Sequence, residues 1–169
     1  MKAKEFLATK LSAGAPDAPP RAAWWPAHLR AIEACLEAID GPREKILLAR
    51  ARAAAHASEW DRIIPVAAPR KLMERHVEFE VDLIEAAEDK NPTCIDRLGG
   101  LLLANATVQA RYFASRVPSF PEDRFLRIFE AHLAIVAEMI LGKFGAAKPG
   151  RARAEANALN LAAFSVEWF

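Results

Sequence analysis

The chain has 169 residues, 53% hydrophobic and 27% charged, with 23 Lys and Arg against 22 Asp and Glu. That length suits one domain with a sizeable core, and the apolar content excludes disorder as its general state. A net charge of +1 leaves no electrostatic footprint for nucleic acid. Cys35 and Cys94 match no metal spacing, so they read as thiols of a reducing, cytoplasmic protein.

Met1 to Leu11 reads as a short helix with Phe6, Leu7 and Leu11 on its apolar side. Gly14, Pro16, Pro19 and Pro20 make the following stretch a linker. Residues 1–20 are therefore expected to form an arm that docks on the body, and residues 21–169 a single helical-bundle domain. No apolar segment of the secretory kind follows Lys2 and Lys4.

The next helix is expected from Pro26, after Trp24 and Trp25, to Asp40, on the helical repeat of Leu29, Ile32, Leu36 and Ile39. Gly41-Pro42 breaks the chain and opens a second helix to about Ile64. Its stripe is Ile46, Ala49, Ala53, His56, Trp60 and Ile63, and its mixed-charge outer face reads as solvated. Pro65 and Pro69 bracket a bend. A third helix, 69–89, carries Leu72, Met73, His76, Val77, Glu80, Leu83, Ile84 and Ala87 on its apolar side.

Leu98 to Ala110 contains no charged residue, a gap expected to mean burial. A helix over 92–117, with Asn91 as N-cap and Pro92 in its first turn, is read as the central element around which the others pack. Its uncharged run is too short to span a bilayer. Asn105, Gln109, Tyr112 and Arg116 line one face, and Ile95, Leu102, Ala106, Phe113 and Val117 another. Such a polar stripe lines a pocket, closes a polar network or meets a partner, so those four are the candidate ligand-binding residues. The amides are expected to face the inward histidines of the helices on either side. Gly99-Gly100 costs about 1 kcal/mol per glycine relative to alanine, which points to close approach of another helix or a ligand.

A fifth helix opens near Pro121 with Glu122 and Asp123 in its first turn and closes at Lys143 and Gly145. Phe125, Ile128, Phe129, His132, Ile135, Val136, Met139 and Ile140 face inward. After Lys148-Pro149-Gly150, a last helix over 151–168 spreads Leu159, Leu161, Phe164, Val166, Trp168 and Phe169 around its circumference. That spread suits burial on several sides or a subunit interface. No stretch alternates with period 2. The expected class is all-α, a bundle of five to six main helices around 92–117.

All four histidines, His28, His56, His76 and His132, can be placed on the apolar side of a helix. Of these, His56, His76 and His132, together with Glu80 one turn after His76, form the candidate metal set. Imidazoles and a carboxylate suit Zn, Fe, Mn or Ni. The alternative is that each is a core histidine bonded to a neighbour such as Asn105, Gln109 or Tyr112. Glu80 on an apolar stripe must be paired or protonated, with His76, His132 or Arg116 as partners. Stricter patterns are missing. Glu74-Arg75-His76 and Glu130-Ala131-His132 are one residue too close for the Glu-x-x-His of ferritin-like sites. No His-Glu-x-x-His, Cys-x-x-Cys, Gly-x-Ser-x-Gly or phosphate loop occurs.

Phe79-Glu80-Val81-Asp82-Leu83-Ile84-Glu85-Ala86-Ala87, then Asn91-Pro92, then Glu130-Ala131-His132-Leu133-Ala134-Ile135 resemble segments of the FCD domain, the helical ligand-binding half of FadR-type regulators. The resemblance covers about residues 69–140. It implies a sensor-like bundle in which histidines hold a metal above a small carboxylate effector, with His132 matching one ligand. Glu80 stands where that family has another histidine, and Asn91-Pro92 falls about two residues late. The last helix offers Asn157 and Asn160 but no histidine, so the family's final ligand is missing.

Two functions of different class follow. One is a non-enzymatic, homodimeric bundle that binds a small ligand or a protein. The other is a metal-dependent enzyme or metal sensor. Neither a membrane nor a nucleic acid is expected as a partner.

Overall fold

The computed structural model describes residues 20–63, 71–143 and 151–169, apart from the side chains of Pro20, Asp61, Arg62 and Arg151. The expected helix at 1–11, its linker up to residue 19, the Pro65–Pro69 bend and the Lys148–Gly150 break lie outside the described residues. Six helices are seen among those residues, and no strand: α1 (Pro20–Ala38), α2 (Arg43–Ile63), α3 (Lys71–Glu88), α4 (Pro92–Ala114), α5 (Glu122–Lys143) and α6 (Arg151–Trp168). The chain is an all-α bundle. None of these helices is long and apolar enough to cross a membrane.

Helices adjacent in sequence pack against each other, and α6 returns to α1, closing a ring. Contacts between opposite ends show that neighbours run antiparallel. Trp25 at the start of α1 donates from Nε1 to Ser165 Oγ at the end of α6 (2.9 Å). Arg50, early in α2, pairs with Glu85 and with Asp82 (3.2 Å) late in α3. The odd-numbered helices also meet one another: α1 with α3, α1 with α5, and α3 with α5. They form an inner, mutually parallel trio. Each even-numbered helix covers a groove between two of them, α2 over α1 and α3, α4 over α3 and α5, and α6 over α5 and α1.

This arrangement corrects the reading of 92–117 as the central helix. α4 is an outer helix that packs on α3 and α5 through Leu98, Leu102, Ala106, Ala110 and Phe113. On its other side Leu101, Leu103 and Val108 remain 39%, 50% and 51% exposed. An uncharged run records what a helix lacks, whereas burial depends on its place in the ring. The helix also stops at Ala114, capped by Ser115, rather than at 117. Its beginning is as expected: Asn91 Oδ1 accepts from the Cys94 N–H (3.1 Å), and Pro92 supplies the first turn.

α1 starts six residues earlier than expected, at Pro20, so Pro26 lies inside the helix. An interior proline removes a hydrogen bond and crowds the preceding turn, at about 3 kcal/mol. Burial of Trp24 and Trp25, 2% and 1% exposed, offsets that cost, since each ring removes a large apolar surface from water. Trp24 Nε1 donates to the His56 carbonyl (3.0 Å), which fixes α1 against α2.

A second aromatic layer adjoins it at the same end of the bundle, where α4 and α6 finish and α5 begins. Phe113, Phe120, Phe125, Phe164 and Phe169 are all buried, with the Phe113 and Phe169 rings 4.6 Å apart. The last helix therefore uses Phe164 and Phe169 for burial within the chain.

Lys90 closes α3 in the left-handed region (φ 52°). The Asn91 N–H donates to the Ala86 carbonyl (3.0 Å) and the Lys90 N–H to that of Ala87 (3.2 Å), which is a Schellman arrangement. A side chain at that position is strained. Lys90→Gly is expected to stabilise the protein by about 0.5–1 kcal/mol, read as a rise in the urea midpoint at unchanged m-value.

Candidate metal centre

Each inner helix contributes an imidazole or a carboxylate to one point in the core. His28 comes from α1, His76 and Glu80 from α3, and His132 from α5. On α3 the two ligand types are one turn apart, so they share a face by helical geometry alone. The other two reach the same point because the trio is parallel. The ligand-type atoms of all four residues lie within 4.8 Å of one another. Relative exposures are 0% for His28, His76 and Glu80 and 3% for His132.

Glu80 stands among three imidazoles. Its Oε2 is 3.1 Å from His28 Nε2, and its Oε1 is 3.1 Å from His76 Nε2 and 3.3 Å from His132 Nε2. At those distances hydrogen bonds would be expected, yet the directions do not fit. The three Nε2 atoms and both Glu80 oxygens have no hydrogen-bond partner. Buried polar atoms are nearly always hydrogen-bonded, whereas here the carboxylate meets the three imidazoles only as close ion-pair contacts. Five such atoms around one point therefore fit lone pairs directed at a shared cation. Donors on a tetrahedron with 2.0–2.1 Å bonds stand about 3.3 Å apart, close to the observed nitrogen–oxygen separations.

The protonation preferences agree. Burial pulls the His28 imidazole below its ordinary value against the opposing charge of Glu80, which leaves its lone pair free. Burial alone would push the Glu80 carboxyl up, but His76 and His28 outweigh it and hold the group well below the usual carboxylate range. A neutral imidazole beside an ionised carboxylate is the state that binds a cation.

Three of the four residues chosen from the sequence, His76, Glu80 and His132, are brought together. His56 is not among them. It sits on the outer helix α2 and stacks on Trp24 (ring centroids 4.4 Å), with its ring 6.0 Å from that of His28. Its imidazole is pushed down to about 4, first by burial and then by His28. His28 takes the place assigned to His56. Starting the helix at Pro26 had set His28 in a first turn, whereas the helix from Pro20 carries it two turns in. The repeat Trp25, His28, Ile32, Cys35, Ile39 is the signal that could have found it.

The amide face of α4 does not meet the histidines. Asn105 Nδ2 donates to the Leu72 carbonyl at the start of α3 (3.0 Å), and Gln109 Nε2 donates to Asn105 Oδ1 (2.7 Å). The two amides thus close a small network between α4 and α3. Arg116 is exposed and lies over the half-buried Tyr112 ring, 5.3 Å from its centroid. Arg116 is also no partner of Glu80, whose neighbours are the three imidazoles.

No family model, curated protein or solved structure matches the chain. The centre is therefore characterised by its own geometry.

Around it the packing is aromatic. Trp24 stacks on His28 (5.0 Å), Trp25 meets His132 edge-on (5.5 Å), and Phe129 lies against His76 (5.0 Å) and His132 (5.8 Å). The described surface clefts are lined by other residues; the one beside Arg50, Ser58 and Glu74 lies over α2 and α3.

Proposed function

We propose that the protein is a non-enzymatic, metal-binding helical bundle in which His28, His76, Glu80 and His132 hold one divalent first-row ion. The observation that carries this reading is the convergence of buried nitrogen and oxygen atoms, without hydrogen bonds, from three separate helices. The donor set is imidazole and carboxylate without thiolate, which suits Zn, Fe, Mn or Ni. Four protein ligands in a closed, buried site are the pattern of a structural or sensing ion, since catalytic sites keep a position open. His132 and Glu80 are also positions singled out by the resemblance to FCD domains, which supports a sensor-type role. The free thiols of Cys35 and Cys94 support a cytoplasmic setting.

The test is elemental analysis of full-length protein purified without a polyhistidine tag and then offered each of the four ions. The expected result is one equivalent per chain, retained by His56→Ala and lost by His28→Ala and Glu80→Ala. Wild-type protein that takes up none of the ions, with a melting temperature unchanged by chelator, overturns the reading.

A further inference from the structure

The centre is buried, yet one polar side chain leads outward from it. Trp24 stacks on the His28 ring (centroids 5.0 Å, 8° between planes) and on the His56 ring (4.4 Å, 13°). The two imidazoles are parallel within 12°, with their centroids 6.0 Å apart. Because Trp24 Nε1 is bonded to the His56 carbonyl, the indole is fixed and sets the spacing of the two rings.

The nitrogens of His56 face different surroundings. Nδ1 lies 3.8 Å from Glu59 Oε2, three residues along α2, and the Glu59 side chain is 58% exposed. Nε2 is buried and has no hydrogen-bond partner. Among the described residues, the other rings against His76 and His132 include Trp25 and Phe129, neither of which offers a lone pair to a cation.

We propose that His56 and Glu59 form an entry site through which a divalent first-row cation reaches and leaves the centre. The inference rests on the reading of the centre as a metal site. An exposed carboxylate draws the cation from solvent, and the imidazole beside it supplies a second donor of the type such ions take. A half-turn of that ring about its Cβ–Cγ bond exchanges the edge facing Glu59 with the inner edge, from which His28 is the next imidazole. The face of Trp24 borders both rings and itself attracts a cation. Two donors hold an ion more weakly than four, so the ion moves on to His28, His76, Glu80 and His132. His56 thus sets how fast the centre fills, and its four ligands set how tightly.

The signature is kinetic. A group on the path but outside the final coordination lowers the barrier in both directions, so its removal slows loading and release equally. Removing a mere plug would speed both, and removing a ligand would weaken binding.

The test uses the full chain, with circular dichroism as a control for folding. Zn²⁺ and Ni²⁺, which such donors bind at least as tightly as Fe²⁺ or Mn²⁺, are the probes. Loading is followed by consumption of the free ion, and release by its capture in excess chromophoric chelator. His56→Phe, which keeps a ring against Trp24, is expected to slow both rates by about tenfold at an unchanged dissociation constant. Glu59→Gln, at an exposed position, should slow both by a smaller factor and make loading less sensitive to ionic strength. Unchanged rates in His56→Phe, or faster exchange or weaker binding in it, overturn the entry site and leave the centre standing. Unchanged rates in Glu59→Gln remove Glu59 from the site. Wild type that takes up neither ion overturns the reading of the centre and the entry site with it.

Discussion

Glu80→Ala is expected to be about 3–5 kcal/mol less stable than the metal-loaded wild type, the cost of removing one partner from a buried charge cluster. At about 2–4 °C per kcal/mol for a chain of this size, the melting temperature should fall by about 10 °C. Among the described residues the carboxylate is the only anion beside the three imidazoles of this buried site, so it is the group placed to balance a proton or an ion there. Glu80→Gln keeps the volume and should lose most of the same stability, which separates charge from packing.

Chelation adds a second readout. An ion at about a thousand times its dissociation constant stabilises the native state by about 4 kcal/mol, so a chelator should lower the wild-type melting temperature by about 8–16 °C. The same chelator should leave Glu80→Ala unmoved and still act on His56→Ala. Equal sensitivity of wild type and Glu80→Ala to chelator would contradict the assignment of the centre.

Phe129→Ala is expected to cost about 3–5 kcal/mol, the usual range for emptying a core phenylalanine site. Phe129 is 0% exposed and its ring contacts those of Trp25, Phe125, His76 and His132. The ring joins the two aromatic layers and also supports two imidazoles of the centre. The variant should therefore lower both the urea midpoint and the affinity for the ion, because the ligand rings lose the packing that holds their rotamers. Phe120→Ala removes a ring from the second layer, where no aromatic neighbour is a histidine. It should lower stability and leave the affinity within about twofold, since sites without shared partners act independently.

Local chemistry made much of this molecule readable. Asn91-Pro92 announces the start of α4 because capping is settled by residues in contact along the chain. His76 and Glu80 share a face because four residues make roughly one turn. What could not be read locally was the ring. His28 and His56 both lie on apolar sides of their helices, and the same stripe pattern serves a helix facing the inner trio and one covering a groove. Only the tertiary arrangement makes α1 inner and α2 outer, and so brings His28 to the centre and sends His56 to Trp24. The start of α1 was hidden for a related reason. Pro26 is a strong local signal, and it is overruled by burial of Trp24 and Trp25 against residues more than thirty positions away.

The parallel trio has a consequence for assembly. The short turn between α1 and α2, and the one between α3 and α4, make helical hairpins that can form from local contacts, as α5 and α6 can once both are made. Each hairpin supplies one inner helix, and His28, His76 and His132 each belong to a different one. A single hairpin can offer at most the His76–Glu80 pair, so the proposed site is complete only when all three have docked. An ion that binds there is retained by finished molecules and passes over partial ones. On the proposed reading, metal occupancy would serve as a tally of completed folding, acting late and joining residues as far apart as His28 and His132.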